Sequence, residues 1–420
     1  MFSSKNFYDL LHVHLTEPLT LDLFHFTNFG STEVKDLSTV GFTEKNKFYT
    51  VPNFVLAYDQ EPIYSENLYK LFDTVRIPVT KSTVRWYFTT LIEMRTAVEH
   101  THFYPRGFKV LANSEHSEEK NKFLRIHDDY QDWYYFYHGF AALDWYRNVA
   151  YDRHIHQFSK VFITFNNLYT KKRSYRLDMI ARLFEKGIAD QGYISMNPDN
   201  AKQQIKREIL SHDSLLSKES RIRIAKTLLP EPPVLTIDTD NMHGSLSSEP
   251  ALETWTSALW HIVTETIYYD DKLHLTEKIF KPIVAHRPFI LAGAPGNLAY
   301  LKSYGFKTFD RWIDESYDSE TDPEKRMSMI VAEVERLCKL SPEELQSMYN
   351  EMQDVLSYNF YWFYEGFKKQ IVNELVDNFK RCIINYNAGR NTSNEGYRAF
   401  EGYRDHKNID FEDVKRRLLL

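Results

Sequence analysis

The run Thr264-Glu265-Thr266, then Tyr268-Tyr269-Asp270-Asp271-Lys272, then Leu275-Thr276-Glu277-Lys278-Ile279-Phe280-Lys281-Pro282, closes on Pro288-Phe289-Ile290-Leu291-Ala292-Gly293. It reads as a strand ending at Glu265, a polar loop, a helix opening at Thr276 or Glu277, and a second strand over Phe289–Ala292. A short apolar run bounded by turn formers is the mark of a buried strand, and a threonine before a charged turn is a helix cap. Strand, helix and strand in that order make a parallel sheet, whose ligands bind beyond the carboxyl ends of its strands.

The same unit recurs outward from this run. Phe54-Val55-Leu56-Ala57 precedes Asp59-Gln60-Glu61-Pro62, Phe108 to Ala112 precedes Asn113-Ser114-Glu115-His116, and Val161 to Phe165 precedes Asn166-Asn167. Leu259 to Val263 leads into the opening run. Helical stripes lie between. After Ser174, a predicted N-cap, Leu177, Ile180, Ala181 and Phe184 sit on one face, and Gly187 follows as a C-cap. Met327, Ile330, Val331, Val334 and Leu337 form another stripe, and Ser341-Pro342-Glu343-Glu344 is a capping box with proline at the first helical position. Residues 211–253, polar and holding Pro230, Pro232 and Pro233, read as loops and short elements.

At 420 residues the chain is long enough for two cores. A break near 150–157 gives an N-terminal domain over 1–152 and a second over 153–345. Residues 346–420 form helices and a tail that cross back to the first. The expected class is α/β, with two Rossmann-like domains on parallel sheets facing across a cleft.

Hydrophobic residues at 43% and charged residues at 26% describe a globular chain. The formal net charge of −6 and the lack of a long basic run do not advertise a broad nucleic-acid face. Two cysteines argue against a disulfide framework and for a reducing, cytoplasmic setting. No apolar run approaches the roughly 18 residues of a membrane span. There is no Gly-x-Gly-x-x-Gly and no Walker loop, so dehydrogenase and NTPase readings have no support.

A site for a sugar nucleotide needs a carboxylate for the ribose hydroxyls, and cations with a helix start for the departing diphosphate. Glu277 suits the first, and Lys278 with the amides at Thr276 suits the second. An ordinary surface helix would also carry Glu-Lys, so the signal is the whole ordered run. That run resembles the donor-binding motif of the α1,3-fucosyltransferase family and related GT-B enzymes. In that family a strand ends in glutamate and a loop leads to a Thr-Glu-Lys helix start. The stretches Gly305 to Phe309 and Asp314 to Asp318 are similar to uncharacterised viral and bacterial glycosyltransferase-like proteins. Lys281-Pro282 departs from the fucosyltransferase pattern, so the likeness implies a sugar nucleotide, UDP- or GDP-linked, and not fucose in particular.

The resemblance implies further roles. Lys171-Lys172-Arg173 and Arg176, after the strand ending at Asn166, would contact the diphosphate, Arg176 first and Arg173 next. Glu265 would contact the donor sugar or orient Lys278, with a structural salt bridge as the alternative, and Tyr268, Tyr269 and Lys272 would be second-rank donor contacts. An inverting transfer needs a carboxylate from the other domain to take the acceptor's proton. Glu61 is the first candidate and Asp59 the second, with Glu115 third. The acceptor is a glycan hydroxyl or, in a viral setting, a hydroxymethylated DNA base, for which Trp133 to His138 could offer stacking surfaces or could equally be core. No metal is obligatory. Asp238-Thr239-Asp240 would hold Mg²⁺ or Mn²⁺ in the alternative of a metal-dependent GT-A-type transferase. A non-catalytic sugar- or nucleotide-binding protein is a third reading.

Overall fold

The computed structural model describes residues 21–26, 53–58, 84–90, 109–113, 130–132, isolated positions between 136 and 149, then 158–196, 200–231 and 252–387. The chain divides into two compact units, Met1–Phe140 with Lys369–Asp405, and Ala141–Lys368 with His406–Leu420.

The first unit holds five parallel strands, β1 (Leu21–Phe26), β2 (Asn53–Tyr58), β3 (Val84–Thr90), β4 (Lys109–Asn113) and β5 (Tyr130–Asp132), hydrogen-bonded in chain order. The strands expected at Phe54 and Phe108 are β2 and β4. β1 and β3 were not anticipated, although LDLFHF and VRWYFTT both carry the aromatic and branched residues of strands.

The second unit holds β6 (Lys160–Asn166), β7 (Gly192–Met196), β8 (Ala258–Thr264) and β9 (Phe289–Ala292), all parallel, in the order β7-β6-β8-β9. Both units are therefore built on parallel sheets, as the α/β expectation requires. Every residue of β8 and β9 is buried. That explains why ALWHIVT and FILA are near-continuous apolar runs without a polar alternation. The chain runs from β6 outward to β7 and then returns to the opposite side of β6 for β8. The strand order reverses there, and such a switch point opens a crevice at the carboxyl ends of β6 and β8.

Helices α1 (Tyr175–Glu185), α2 (Ala201–Leu210), α3 (Lys218–Thr227), α4 (Pro323–Cys338), α5 (Pro342–Glu351), α6 (Gln353–Trp362) and α7 (Lys368–Asn387) accompany the sheets. α3 corrects the reading of 211–253 as loops and short elements: Ser217 Oγ accepts from the Ser220 amide and caps a ten-residue helix. The helix was hidden because its sequence, KESRIRIAKT, buries only Ser220 and Ile224 and so has little apolar stripe. Ser174 does precede α1, but its hydroxyl bonds Tyr269 Oη at 3.3 Å and caps nothing. The Ser341 capping box is present in both halves.

α6 docks onto the loop after the short helix Asn297–Ser303. Trp362 Nε1 donates to Tyr304 O at 2.7 Å, and Asn359 brackets the Lys307 backbone at 2.8 and 2.9 Å. Gly305 lies between at φ +86°, and a Cβ there would meet the Trp362 indole at 2.5 Å. Gly305→Ala should therefore cost roughly 2–5 kcal/mol, from left-handed strain plus overpacking. Urea unfolding measures it, and a change below about 1 kcal/mol would refute this packing account.

Candidate functional site

Both loops that frame the switch point are tied to each other by buried side chains. At the end of β8, Glu265 is fully buried, and its amide donates to Ala292 O at 3.0 Å, extending the β8–β9 ladder. Its carboxylate reaches eleven residues down the chain. Oε1 accepts the Thr276 amide at 3.1 Å, and Oε2 accepts the Thr276 hydroxyl at 2.5 Å. The loop from 266 to 275 is thereby closed on itself, and Thr276 is delivered to the carboxyl end of β8.

Thr276, in extended backbone, caps a single 3₁₀ turn, Glu277–Ile279, that runs into the short helix Phe280–Val284. Its Oγ1 accepts from the Lys278 amide at 3.4 Å and from Lys278 Nζ at 3.0 Å, and Lys278 Nζ also meets Glu277 Oε1 at 3.1 Å. The Lys278 side chain is 30% exposed and that of Glu277 8%. A carboxylate, a part-exposed ammonium and a capped turn thus stand together at the crevice. Behind them, Phe280 packs on Phe306, Phe363 and Phe367, so the turn is seated on an aromatic core.

Burial raises the Glu265 carboxyl above its usual range, opposed by the nearby Lys278 ammonium and the Thr276 bonds. A carboxyl raised in the folded chain gives stability that is complete below its unfolded pKa and declines as pH rises toward the folded value. Unfolding free energy measured against pH should show this decline from about pH 4.5 upward, and Glu265→Gln should flatten it. An unchanged slope in that variant would rule out Glu265 as its source.

After β6 the chain makes a 3₁₀ turn, Lys171–Arg173, directly before α1. Arg176, expected at the diphosphate, is 3% exposed. Its Nη1 donates to Leu168 O at 2.7 Å, and its Nη2 donates to Thr264 O at 2.7 Å and Glu265 O at 3.1 Å. The guanidinium therefore joins the loop after β6 to the end of β8, with its fork occupied by carbonyls. Tyr175, which the sequence reading did not single out, reinforces this by donating to Glu265 O at 2.5 Å. Nothing local marks Tyr175, since its partner is 90 residues away.

Tyr268 lies in the core, 2% exposed. Its ring stacks on Tyr175 at 4.1 Å and carries the Arg326 guanidinium 4.4 Å from its centroid, and its hydroxyl donates to Pro323 O. Its neighbour Tyr269 is the part-exposed member of the pair and reaches Ser174 at the start of α1. Lys272 is buried, with Nζ 3.6 Å from Asp270. Arg173 is half-buried in its turn. The structure thus brings Thr276, Glu277, Lys278, Glu265 and Arg176 together, and draws Tyr268 into packing.

Asp59, Glu61, Glu115, Asp238 and Asp240 lie outside the described residues. Among the described residues no group of three His, Cys, Asp or Glu gathers to hold a metal, and no helix is long and apolar enough to cross a membrane. Of the stretch Trp133 to His138, Phe136 and His138 are described and buried, and Tyr146 beyond it is buried too. Tyr146 meets Trp255 edge-on, which is packing and not an open stacking face.

No family description matches the chain, and no curated protein matches it in sequence. Among solved structures it is similar to an α,α-trehalose 6-phosphate synthase from Burkholderia multivorans, at 12% identity over 97% of this chain and 79% of that chain, with a TM-score of 0.38. It is also similar to a UDP-forming α,α-trehalose-phosphate synthase from Burkholderia xenovorans in complex with glucose-6-phosphate (12% identity, 76% and 74% covered, TM-score 0.36). A third is WaaG, a glycosyltransferase involved in lipopolysaccharide biosynthesis (10% identity, 83% and 98% covered, TM-score 0.36). At these TM-scores the fold rests on the strand order given above.

Proposed function

We propose that the chain is a glycosyltransferase that takes a sugar from a nucleoside diphosphate and passes it to a hydroxyl acceptor, in the GT-B manner. The observation that carries this reading is the capped Thr276-Glu277-Lys278 turn at the switch point, fastened there by the buried Glu265 carboxylate. In it, Glu277 accepts the ribose hydroxyls, while Lys278 and Arg173 neutralise the diphosphate as it leaves. Glu265 and Arg176 hold these groups in place from beneath. The unit Met1–Phe140 with Lys369–Asp405 is the acceptor side, and the unit Ala141–Lys368 with His406–Leu420 is the donor side.

Glu61 is the base, with Asp59 as its alternate, and displacement proceeds with inversion. The acceptor is a glycan hydroxyl, as the fucosyltransferase likeness of the Thr276-Glu277-Lys278 run implies. No metal is obligatory. EDTA should leave transfer intact, and its full loss would move the diphosphate to a metal held by Asp238 and Asp240.

The direct test is a thermal-shift screen of the full chain with UDP, GDP and their sugars. A ligand at 100 times its Kd adds about 2.7 kcal/mol of stability. A rise in Tm with one nucleoside diphosphate is the expected result, and none with either base would overturn the reading.

A further inference from the structure

Lys171 has a left-handed backbone, φ +55°, although it carries a side chain. Such a conformation is costly for any residue but glycine and persists only where surrounding structure enforces it. Besides the turn's own backbone bonds, the group that meets it is Glu208, near the end of α2 and 6% exposed. Its Oε2 accepts the Lys171 amide at 2.9 Å across 37 residues, and its Oε1 accepts the Ser214 hydroxyl at 2.8 Å. Ser214 is fixed in turn: Arg221 donates to the carbonyls of Ile209, Ser214 and Leu216 at 3.2–3.4 Å. The polar segment after α2, which had no role, is therefore a brace running from α3 through Ser214 and Glu208 to the turn that opens α1.

That turn, Lys171–Arg173, stands at the carboxyl end of β6, on the other side of the switch point from Lys278. A buried carboxylate beside three basic residues is unfavourable for a site that must receive phosphates, unless its contribution is geometric. We infer that Glu208 is a positioning residue: it locks Lys171 in its strained conformation so that the basic turn is preformed for the donor's diphosphate. The inference rests on the donor reading above.

The two effects of removing Glu208 have opposite signs. Losing a negative charge near a polyanion would tighten binding, whereas releasing the turn weakens it. Calorimetry of the full chain with UDP and GDP, and with uridine and guanosine as phosphate-free controls, separates them. Glu208→Ala should raise Kd for the diphosphate about tenfold and leave the nucleoside unchanged. Glu208→Gln keeps an amide oxygen for the Lys171 amide and should stay within about twofold. In a chain carrying Lys171→Gly, where φ +55° is unstrained, the added effect of Glu208→Ala should shrink to about twofold or less. Ser214→Ala, a mild change at a half-buried position, should give a smaller loss of about threefold and serves if Glu208→Ala does not fold.

Equal or tighter diphosphate binding in Glu208→Ala, or unchanged binding in Ser214→Ala where the former is unfolded, would overturn the inference. If Lys278→Ala weakens binding while Glu208→Ala does not, the brace is refuted and the donor site stands. If the unaltered chain binds neither UDP nor GDP, both fall.

Discussion

Lys278→Ala is expected to weaken binding of the preferred nucleoside diphosphate by about 10- to 100-fold, the worth of a charge-assisted hydrogen bond to phosphate. The structure sharpens this because Lys278 Nζ lies between Glu277 Oε1 and Thr276 Oγ1. Removing it also takes the ammonium away from the Glu277 carboxylate beside an incoming polyanion, so both consequences act in the same direction. Glu277→Ala should weaken diphosphate binding by about tenfold through the lost ribose contacts. Lys278→Arg should not restore full affinity, since a planar fork cannot reproduce a compact ammonium seated on a threonine hydroxyl. Titration calorimetry with UDP and GDP reads all three. Normal affinity in both alanine variants would remove the donor site from this turn.

Glu61→Ala should lower the rate of transfer by about 10²- to 10⁴-fold, the usual contribution of a general base, with donor affinity unchanged. The dissociation matters more than the size of the loss. A donor contact would change Kd, whereas a base acting on the acceptor hydroxyl changes only the chemical step. Asp59→Ala is the comparison, expected to retain most of the rate. Full transfer by Glu61→Ala together with a loss in Asp59→Ala would exchange the two assignments. Slow hydrolysis of the sugar nucleotide without acceptor should survive in Glu61→Ala if a free water needs no base from this carboxylate.

The strands β8 and β9 were legible because burial on both faces writes itself into sequence. ALWHIVT and FILA have no polar register to hide in. β7 was missed, because GYISM is short and opens on glycine. That glycine has a structural reason, since a Cβ at Gly192 would meet the Phe162 ring of β6 at 2.1 Å. α3 was missed for a complementary reason, its burial being too slight to set a stripe.

Within the site, sequence alone determined the capped Thr276-Glu277-Lys278 start and its place after a strand. Those features depend on caps, periods and chain order, all of which act within a few residues. Only the tertiary structure decided which charged groups face the crevice and which are consumed. Arg176 and Lys278 look alike as basic residues near helix starts. Arg176 is spent on carbonyls 88 and 89 residues away, while Lys278 pairs with its neighbours and keeps part of its surface. Tyr268 and Tyr269 are adjacent and identical in chemistry, yet Tyr268 is 2% exposed with its hydroxyl on Pro323 O, while Tyr269 keeps part of its surface and bonds Ser174. A side chain's role in a site depends on whether its polar atoms are already satisfied, and those partners come from distant parts of the chain that only folding brings together.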